Sequence, residues 1–428
     1  MENPGIQDRL FEFHQSGIYH FDNSTAVFID PVRVLNRSYS RFTVSPSAYY
    51  SRFFEDSGDK PVQKQIEGSR KRKRKKEKQL HPLTETEQIA EQRHQKARPF
   101  LLRAHEALLE ATELLGVLRN LRNDEFTEEG SLQKMENDDL DFVQLGSVWQ
   151  APLCEICLHL DQDNVPAEEG AVGLVPCSEG MSMPVFNNLV MNESANDVEA
   201  EILNHRYIMP KKSCFYMSDL RDIHNLVPAE SDCGFNLILI DPPWENSSAH
   251  QKLKYQTLPN RHFLSLPIKQ LTHTGGALVA LWVTNREKLR RFIESELFPA
   301  WGLRYAATFY WLKIKADGSL IGELDLFHHR PYECLLLGYS IQQDADIGKL
   351  PGHKPLPNNQ VFISVPGDYS RKPPLGDMLL EYAPSCGDTR CLELFARELS
   401  AGRCCWGNET LRFQDRKYFS TRGNVRTP

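Results

Sequence analysis

Long apolar runs are missing from this sequence of 428 residues. No stretch approaches the about 18 consecutive apolar residues of a membrane-spanning helix. The start of the chain also lacks the apolar core of a secretory signal. The sequence therefore predicts neither membrane attachment nor secretion. Because its 10 cysteines show no regular spacing, we expect reduced thiols rather than a disulfide framework.

Glycine-rich phosphate loops and a complete zinc motif are missing too. No G-x-G-x-x-G follows a predicted strand, so the dinucleotide and P-loop fingerprints are absent. Cys154 and Cys157 form one C-x-x-C pair, but a structural zinc site usually takes two such pairs. The other candidate ligands nearby, His159, Cys177 and Cys214, have irregular spacing. We therefore predict no metal site, and two ordinary thiols on an apolar helix.

Positive charge is concentrated in one run, although the formal net charge is -7. Residues 70–76 are all lysine or arginine, and such a run cannot fold on itself. It is typical of nuclear localisation signals and of nucleic-acid patches, with a solvated run that has no partner as the alternative. The sequence thus predicts a nuclear protein whose basic run adds salt-dependent affinity for phosphates.

Composition divides the chain into four parts. We predict an aromatic-rich N-terminal unit at residues 1–60, a basic disordered linker at 61–83, a helical region and loop at 84–200, and an α/β domain at 201–428. The aromatic residues of the first part indicate packing, with a stacking platform for nucleic acid as the alternative.

The helical region has a clear start. Thr84 and Glu87 fit a capping box, and apolar residues recur near helical spacing as far as Leu118. Pro99 is expected to start a second helix, and a further short helical piece is expected around residues 140–160. Residues 162–200 are rich in Gly, Pro, Asn and Glu, which predicts loop and linker.

Short apolar runs alternate with helical patterns in the last part, which predicts a mostly parallel α/β sheet. The strands are expected at residues 213–220, 236–240, 276–283, 303–314, 332–338, 360–366 and 390–397. Ligands bind at the carboxyl ends of such strands. We therefore expect Asp219, Asp241, Arg397 and Asn408 to converge on one rim.

The most informative stretch is the apolar run that ends in Asp241, Pro242, Pro243 and Trp244. The prolines end the strand because they cannot donate hydrogen bonds, so a carboxylate, bare carbonyls and a flat ring are expected at its end. A carboxylate and a carbonyl could accept both N–H groups of an adenine amine and stabilise positive charge developing on its nitrogen. Trp244 could stack on the base. The alternative is a strand and turn with Trp244 in the core.

Seven motifs carry a resemblance to a known family. They are Asp-Pro-Pro-Trp at 241–244, Leu-Trp-Val-Thr-Asn at 281–285, Trp-Leu-Lys at 311–313, Tyr-Glu-Cys-Leu-Leu-Leu-Gly at 332–338, Arg-Lys-Pro at 371–373, Glu-Leu-Phe-Ala-Arg at 393–397 and Gly-Asn-Glu at 407–409. In this order, residues 202–416 resemble the adenine-N6 methyltransferases that include the messenger-RNA adenosine methylase. Within that family they look most like the methyltransferase-like protein 4 branch.

The resemblance implies a Rossmann-like methyltransferase sheet in permuted order, a smaller, partly helical N-terminal region, and S-adenosyl-L-methionine as cofactor. The implied catalytic residues are Asp241, Pro242, Pro243 and Trp244. The implied cofactor-binding residues are Asp219, Leu220, Asp241, Lys372, Arg397, Asn408 and Glu409. The implied substrate-binding residues are Trp244, Lys254, Tyr255 and Glu333.

The same resemblance distributes the cofactor among these residues. Asp219 and Leu220 would contact its adenine, Arg397 and Asn408 its ribose, and Lys372 its methionine carboxylate. One departure from the family lies at 398–400, where Glu-Leu-Ser replaces Pro-His-Asn and removes expected ribose contacts. Ala396 also stands where the family has glycine.

The implied function is N6-methylation of adenine in RNA, specifically of 2′-O-methyladenosine in small nuclear RNA. One alternative is the same chemistry on DNA. Another is a non-catalytic subunit that only binds RNA, but such subunits lose the Asp and Trp that are present here as Asp241 and Trp244. Nothing in the sequence requires a protein partner, so a monomer is favoured.

Overall fold

The protein is a mixed α/β structure, and the computed structural model describes residues 5–22, 25–50, 83–123, 139–159, 181–230, 233–245, 257–327, 329–340, 354–384 and 389–422. The α-helices in these ranges are α1 Ile6–Ser16, α2 Pro31–Asn36, α3 Pro46–Tyr49, α4 Glu85–Glu110, α5 Thr112–Leu118, α6 Phe142–Ser147, α7 Ile268–Leu271, α8 Glu287–Phe292, α9 Phe298–Ala300 and α10 Gly376–Leu380, and short 3-10 helices such as Leu220–Leu226 connect other elements. The predicted basic run at 70–76 lies outside the described residues.

The strands in the same ranges follow most of the predicted apolar runs. They are β1 Ile18–His20, β2 Ala26–Ile29, β3 Phe42–Val44, β4 Glu155–His159, β5 Met181–Pro184, β6 Leu189–Asn192, β7 Val198–Ile202, β8 His205–Met209, β9 Ser213–Met217, β10 Leu237–Ile240, β11 Ala277–Val283, β12 Leu303–Lys313, β13 Tyr332–Ser340, β14 Val361–Ser364, β15 Cys391–Leu394, β16 Arg403–Gly407 and β17 Phe419–Thr421.

Eleven of the described strands form one mixed sheet in the order β1-β2-β14-β12-β13-β11-β10-β15-β16-β9-β6. Strands β11, β10, β15, β16 and β9 are parallel neighbours. The other half is mixed because β13 turns back between β11 and β12 and pairs antiparallel with both. The prediction of a mostly parallel sheet therefore holds from β11 to β9, and β6 at that edge pairs antiparallel with β9. Strand β10 precedes its neighbour β15 in the chain, which is the permuted order that the resemblance implies.

Most of the described aromatic residues of the N-terminal segment pack into the core, as predicted, whereas Phe11 is 65% exposed. Phe13, Tyr19 and Phe28 are buried in one apolar cluster. Strand β2 pairs in parallel with β14, and β3 pairs with β17 near the end of the chain. The segment thus extends the large sheet instead of standing apart, and it supplies the backbone partners that an edge strand at β14 would lack.

Helix α4 starts at the predicted capping box. The Thr84 hydroxyl accepts the Glu87 N–H at 3.4 Å, and the Glu87 carboxylate accepts the Thr84 N–H at 2.8 Å. The expectation that Pro99 starts a second helix is wrong, because α4 continues through it. Buried Leu101, Ala104 and Leu108 lie beyond the proline on the packed face, and this packing outweighs the hydrogen bond that proline removes.

Two predictions between residues 150 and 202 are wrong. Cys157 lies in β4 rather than on a helix, because β4 pairs with β5 and β7 in a second sheet of order β5-β4-β7-β8. Strands β5, β6 and β7 also occupy part of the predicted loop. The β7–β8 hairpin turns at Leu203 and Asn204, whose φ angles are 48° and 67°. A primed turn needs such left-handed residues, but Leu-Asn does not give the usual Asn-Gly signal.

The short helix α6 confirms the predicted helical piece after residue 140. Within the described ranges, each helix is too short or too polar to span a lipid bilayer.

Candidate active site

Asp241 lies at the carboxyl edge of the sheet because β10 carries it there. Leu237–Ile240 are buried, as a strand with parallel neighbours on both sides requires. Ile240 is in register with Leu281 of β11 and Leu394 of β15. The residues that follow these three strands therefore lie side by side, and the carboxylate of Asp241 is half-buried among them.

The carbonyls of the proline turn are not bare, contrary to the sequence expectation. The Pro242 carbonyl accepts the N–H of Trp244 at 2.7 Å, and the Pro243 carbonyl accepts the N–H of Leu258 at 2.9 Å. Each carbonyl oxygen has two lone pairs. One acceptor position on Pro242 is therefore left for a substrate amine, and its catalytic role stays a prediction.

Trp244 is packed in the core, which matches the alternative interpretation of the motif. Its side chain is 6% exposed, its indole N–H donates to the Trp282 carbonyl at 2.7 Å, and its ring meets Phe263 edge-on at 4.8 Å between centroids. These contacts fix the turn after Asp241. Stacking of Trp244 on a base stays a prediction.

A chain of four charged side chains leads away from Asp241. Lys372 Nζ lies 3.1 Å from Asp241 Oδ1 and 3.4 Å from Glu333 Oε2. The other oxygen of Glu333 accepts a hydrogen bond from Lys313. The sequence predicts Asp241, Glu333 and Lys372 as site residues, whereas it assigns Lys313 only to the motif at 311–313. The signal available for Lys313 was a lysine at the end of a buried apolar strand.

Within this chain of side chains, Glu333 and Lys372 each have a shifted pKa. Burial raises the pKa of Glu333, but the ammonium groups of Lys313 and Lys372 outweigh burial and lower this pKa to about 2. Burial lowers the pKa of Lys372, but the carboxylates of Asp241 and Glu333 outweigh it and raise this pKa above its ordinary value. The ammonium of Lys372 is therefore charged and held beside Asp241 at neutral pH.

Helix α4 contacts the connection between β12, which ends at Lys313, and β13, which contains Glu333. The His94 ring stacks on Tyr332, the residue before Glu333, at 5.9 Å between centroids, and its Nδ1 lies 3.0 Å from the Tyr332 hydroxyl. Arg98 makes two hydrogen bonds to Asp325 in the connection, at 2.6 and 2.8 Å. Through these contacts, the N-terminal region fixes the position of Glu333.

A cavity adjoins Asp241 and is lined by charges of both signs. Its charged lining residues are Asp241, Arg371, Lys372, Glu393, Arg397, Glu398 and Arg403. Burial raises the pKa of Glu393 to about 7, against the opposing charge of Arg403. Cations beside carboxylates suit a ligand that carries both an ammonium and a carboxylate. This is the chemistry of the amino-acid end of adenosylmethionine, so the residues present fit that group.

Arg371 connects the cavity with the N-terminal segment. Its guanidinium is 4% exposed and lies between the rings of Tyr49 and Phe413, at 4.0 and 4.2 Å from their centroids. It donates to the Glu398 carboxylate. Glu398 lies in the turn where the sequence departs from the family, and its carboxylate forms an ion pair with Arg371. Sequence reasoning missed these contacts because Tyr49 and Arg371 are distant along the chain.

The predicted residues Arg397, Asn408 and Asp219 follow three adjacent strands on one side of β10. Strand β15 carries Arg397, β16 carries Asn408, and β9 carries Asp219 in the order β10-β15-β16-β9. Neighbouring strands lie about 4.8 Å apart, so the row from the end of β10 to the end of β9 spans about 14 Å. Asn408 and Asp219 are exposed. The rim that the sequence predicts is therefore present as a row of strand ends.

Local hydrogen bonds shape this row. The Asp219 carboxylate accepts the N–H of Arg221 at 2.9 Å, which lowers the pKa of Asp219, and Leu220 begins the short helix that follows. Glu409 is half-buried, and burial raises its pKa against the charge of Arg397. The roles toward a cofactor stay predictions for Asp219, Leu220, Arg397, Asn408 and Glu409.

Two backbone features at β15 and β16 were not foreseen. A Cβ on Gly407 would lie 2.8 Å from the carbonyl oxygen of Ala396, so the close approach of the two strand ends requires glycine there. Phe395 has a φ of 60°, a strained conformation for a bulky residue. It turns the chain sharply at the end of β15, just before Arg397.

Two predicted substrate residues, Lys254 and Tyr255, lie outside the described residues. Among the residues that are described, no group of three or more His, Cys, Asp or Glu side chains could hold a metal ion.

The sheet, with a charged cavity at the ends of its parallel strands, defines a Rossmann-like methyltransferase fold. Residues 235–409 match the MT-A70 family model. The chain is 34% identical over 272 residues to the N(6)-adenine-specific methyltransferase METTL4 of Mus musculus, covering 62% of this chain and 56% of the relative. It therefore spans about half the length of that relative.

Two further relatives differ in the substrate that their names give. The chain is 34% identical over 233 residues to the N6-methyladenosine RNA methyltransferase MTA1 of Pyricularia oryzae, covering 52% of this chain and 59% of that protein. It is also 34% identical over 251 residues to the DNA N6-methyl methyltransferase of Caenorhabditis elegans, covering 57% of this chain and 65% of that protein. Similarity alone does not choose between RNA and DNA.

Proposed function

We propose that the protein is an S-adenosyl-L-methionine-dependent N6-adenine methyltransferase that acts on RNA, with 2′-O-methyladenosine in small nuclear RNA as its substrate. The observation that carries the proposal is the row of strand ends from Asp241 to Asp219, with Lys372 held against Asp241. The similarity of the chain to METTL4 and MTA1 supports the chemistry.

The row offers groups that would suit the cofactor in its chemical order. Lys372 and the nearby carboxylates would hold the amino-acid end, Arg397 and Asn408 the ribose, and Asp219 with Leu220 the adenine. When bound, this cofactor supplies an electrophilic methyl group. The strand order places Asp241 at the end of the row next to Lys372 and farthest from Asp219.

The chain's own residues would then prepare the substrate amine. The lone pair of an adenine amine is delocalised into the ring, so the amine is a poor nucleophile. The Asp241 carboxylate would accept one N–H group and stabilise the positive charge that develops on nitrogen. The remaining lone pair of the Pro242 carbonyl would accept the other N–H. Lys372 holds its ammonium 3.1 Å from the Asp241 carboxylate, and the packed indole of Trp244 keeps the turn in place.

Methyl transfer from labelled adenosylmethionine to matched oligonucleotides tests the proposal. The set is one sequence as RNA with adenosine, as RNA with 2′-O-methyladenosine, and as DNA. We expect the highest kcat/KM on the 2′-O-methylated RNA, because that is the substrate proposed, and at least about 100-fold slower transfer by Asp241→Ala. Activity on DNA alone would keep the chemistry and refute the RNA substrate, while absence of transfer to all three would refute the proposal.

The basic run supports a nuclear location. We expect deletion of residues 70–76 to move a fluorescent fusion of the full chain from the nucleus to the cytoplasm, because seven cationic residues are lost. Fluorescence microscopy of cells measures the ratio of nuclear to cytoplasmic signal. Deletion of residues 62–68 is the matched control, since it removes the same length with one lysine. An unchanged ratio for the first deletion would contradict the assignment.

A further inference from the structure

Two left-handed residues precede Arg371 and Lys372. Tyr369 has a φ of 54° and Ser370 a φ of 60°, and neither is glycine. This region is strained for a residue with a side chain, so its surroundings must hold it there. Arg397 donates to the Tyr369 carbonyl at 2.9 Å, and Lys372 donates to the Ser370 carbonyl at 3.4 Å. Two predicted cofactor residues thus secure the strained turn.

The turn exposes the ring of Tyr369. Tyr369 is 46% exposed, although the segments on both sides are packed. The guanidinium of Arg412 lies 5.7 Å from the ring centroid, and the ring of Phe413 lies 6.2 Å away at 45°. Phe413 and Arg371 line the cavity beside Asp241. The exposed ring therefore lies next to the cavity, with a cation at its side.

We propose that Tyr369 is a nucleobase-stacking residue, which holds a base of the nucleic-acid substrate next to the target adenine. This inference rests on the proposed function. Every base has a flat π-face, and stacking on an aromatic side chain typically strengthens binding by about 10-fold per base. Arg412 adds a cation that can meet the neighbouring phosphate. A flat base can also come from the cofactor, and the experiment separates the two sources.

Tyr305 is a matched control for the exposed ring of Tyr369. Tyr305 is also 46% exposed, and the guanidinium of Arg290 lies 5.8 Å from its ring centroid. Tyr305 lies in β12, is absent from the residues with positive φ, and does not line the cavity beside Asp241. The two tyrosines share exposure and a cationic neighbour and differ in backbone strain and location.

The test measures binding of the full chain to a fluorescent single-stranded adenine-containing RNA by anisotropy. We expect Tyr369→Ala to weaken binding about 10-fold or more, and Tyr369→Phe to bind as the wild type does. Tyr369→Asn should match alanine, because asparagine tolerates the left-handed backbone but has no ring. Tyr305→Ala should bind normally, and thermal unfolding should be unchanged for Tyr369→Phe and Tyr369→Asn.

Calorimetry with S-adenosylhomocysteine supplies the second arm. We expect an unchanged Kd for this nucleoside in Tyr369→Ala. A loss of nucleoside binding with normal RNA binding would assign the stacked base to the cofactor and overturn the proposal. Normal RNA binding by Tyr369→Ala, with methyl transfer intact in the wild type, would overturn the inference and leave the proposed function standing. A wild type that neither binds nor methylates RNA would overturn both.

Discussion

Replacement of Asp241 by alanine is expected to lower the kcat for methyl transfer by at least about 100-fold, because one group that stabilises charge in a transition state is typically worth 100- to 1,000-fold. The variant loses the carboxylate that would accept a substrate N–H. The chain keeps its fold, because Asp241 is only half-buried and follows a strand fixed by parallel pairing on both sides.

Cofactor binding should survive this change. Lys372 retains Glu333 as a partner, 3.4 Å away, so it stays charged and in place without Asp241. Arg397, Asn408 and Asp219 lie on other strands of the row. Calorimetry with S-adenosylhomocysteine should therefore give a Kd within a few-fold of the wild type. Glu323→Ala, which removes an exposed carboxylate, is the control for both measurements. Loss of cofactor binding in Asp241→Ala would contradict the assignment of Asp241 to the acceptor side.

Strands whose apolar runs are continuous could be predicted from the sequence. Strands β10 and β11 are continuous apolar runs, and β15 is interrupted only by Glu393. Strand β16, which precedes Asn408, is not among the predicted strands, because its short run Arg403–Gly407 begins on a charged residue. Strand β5 is mostly exposed and β6 alternates between exposed and buried residues. Their short runs do not differ from loop composition, and only their pairing partners make them strands.

The candidate site could be predicted only in part. Asp241, Lys372 and Arg397 were predicted, and the structure places them around one cavity. Tyr49 could not be assigned there, because its packing on Arg371 depends on β2 joining the large sheet beside β14. The burial of Trp244 could not be decided either. An indole after a strand can face a pocket or the core, and only the position of the Trp282 carbonyl decides between them.

The second prediction concerns Glu333 and the stability of the fold. Glu333 is the carboxylate shared by two lysines, Lys313 and Lys372, and all three side chains are largely buried. Glu333→Gln leaves both ammonium groups in place and removes the charge between them. Breaking a buried pair by removing one partner costs about 3–5 kcal/mol. We therefore expect the free energy of unfolding in urea at pH 7 to fall by about 3 kcal/mol.

The pH dependence separates this charge effect from a loss of packing. The pKa of Glu333 is lowered from 4.5 to about 2 in the folded chain. Its contribution to stability is fully present above pH 4.5 and is lost as the pH falls from there toward 2. The difference in unfolding free energy between wild type and Glu333→Gln should therefore shrink as the pH is lowered from about 5 to about 3.

A surface ion pair supplies the matched control for this measurement. Lys354 and Glu381 are 2.8 Å apart, but both side chains are more than half exposed. Such pairs contribute at most about 1 kcal/mol, so Glu381→Gln should leave the urea unfolding curve nearly unchanged. If Glu333→Gln behaved like Glu381→Gln, or if its loss of stability were the same at every pH, the two lysines would not depend on Glu333 for their stability in the core.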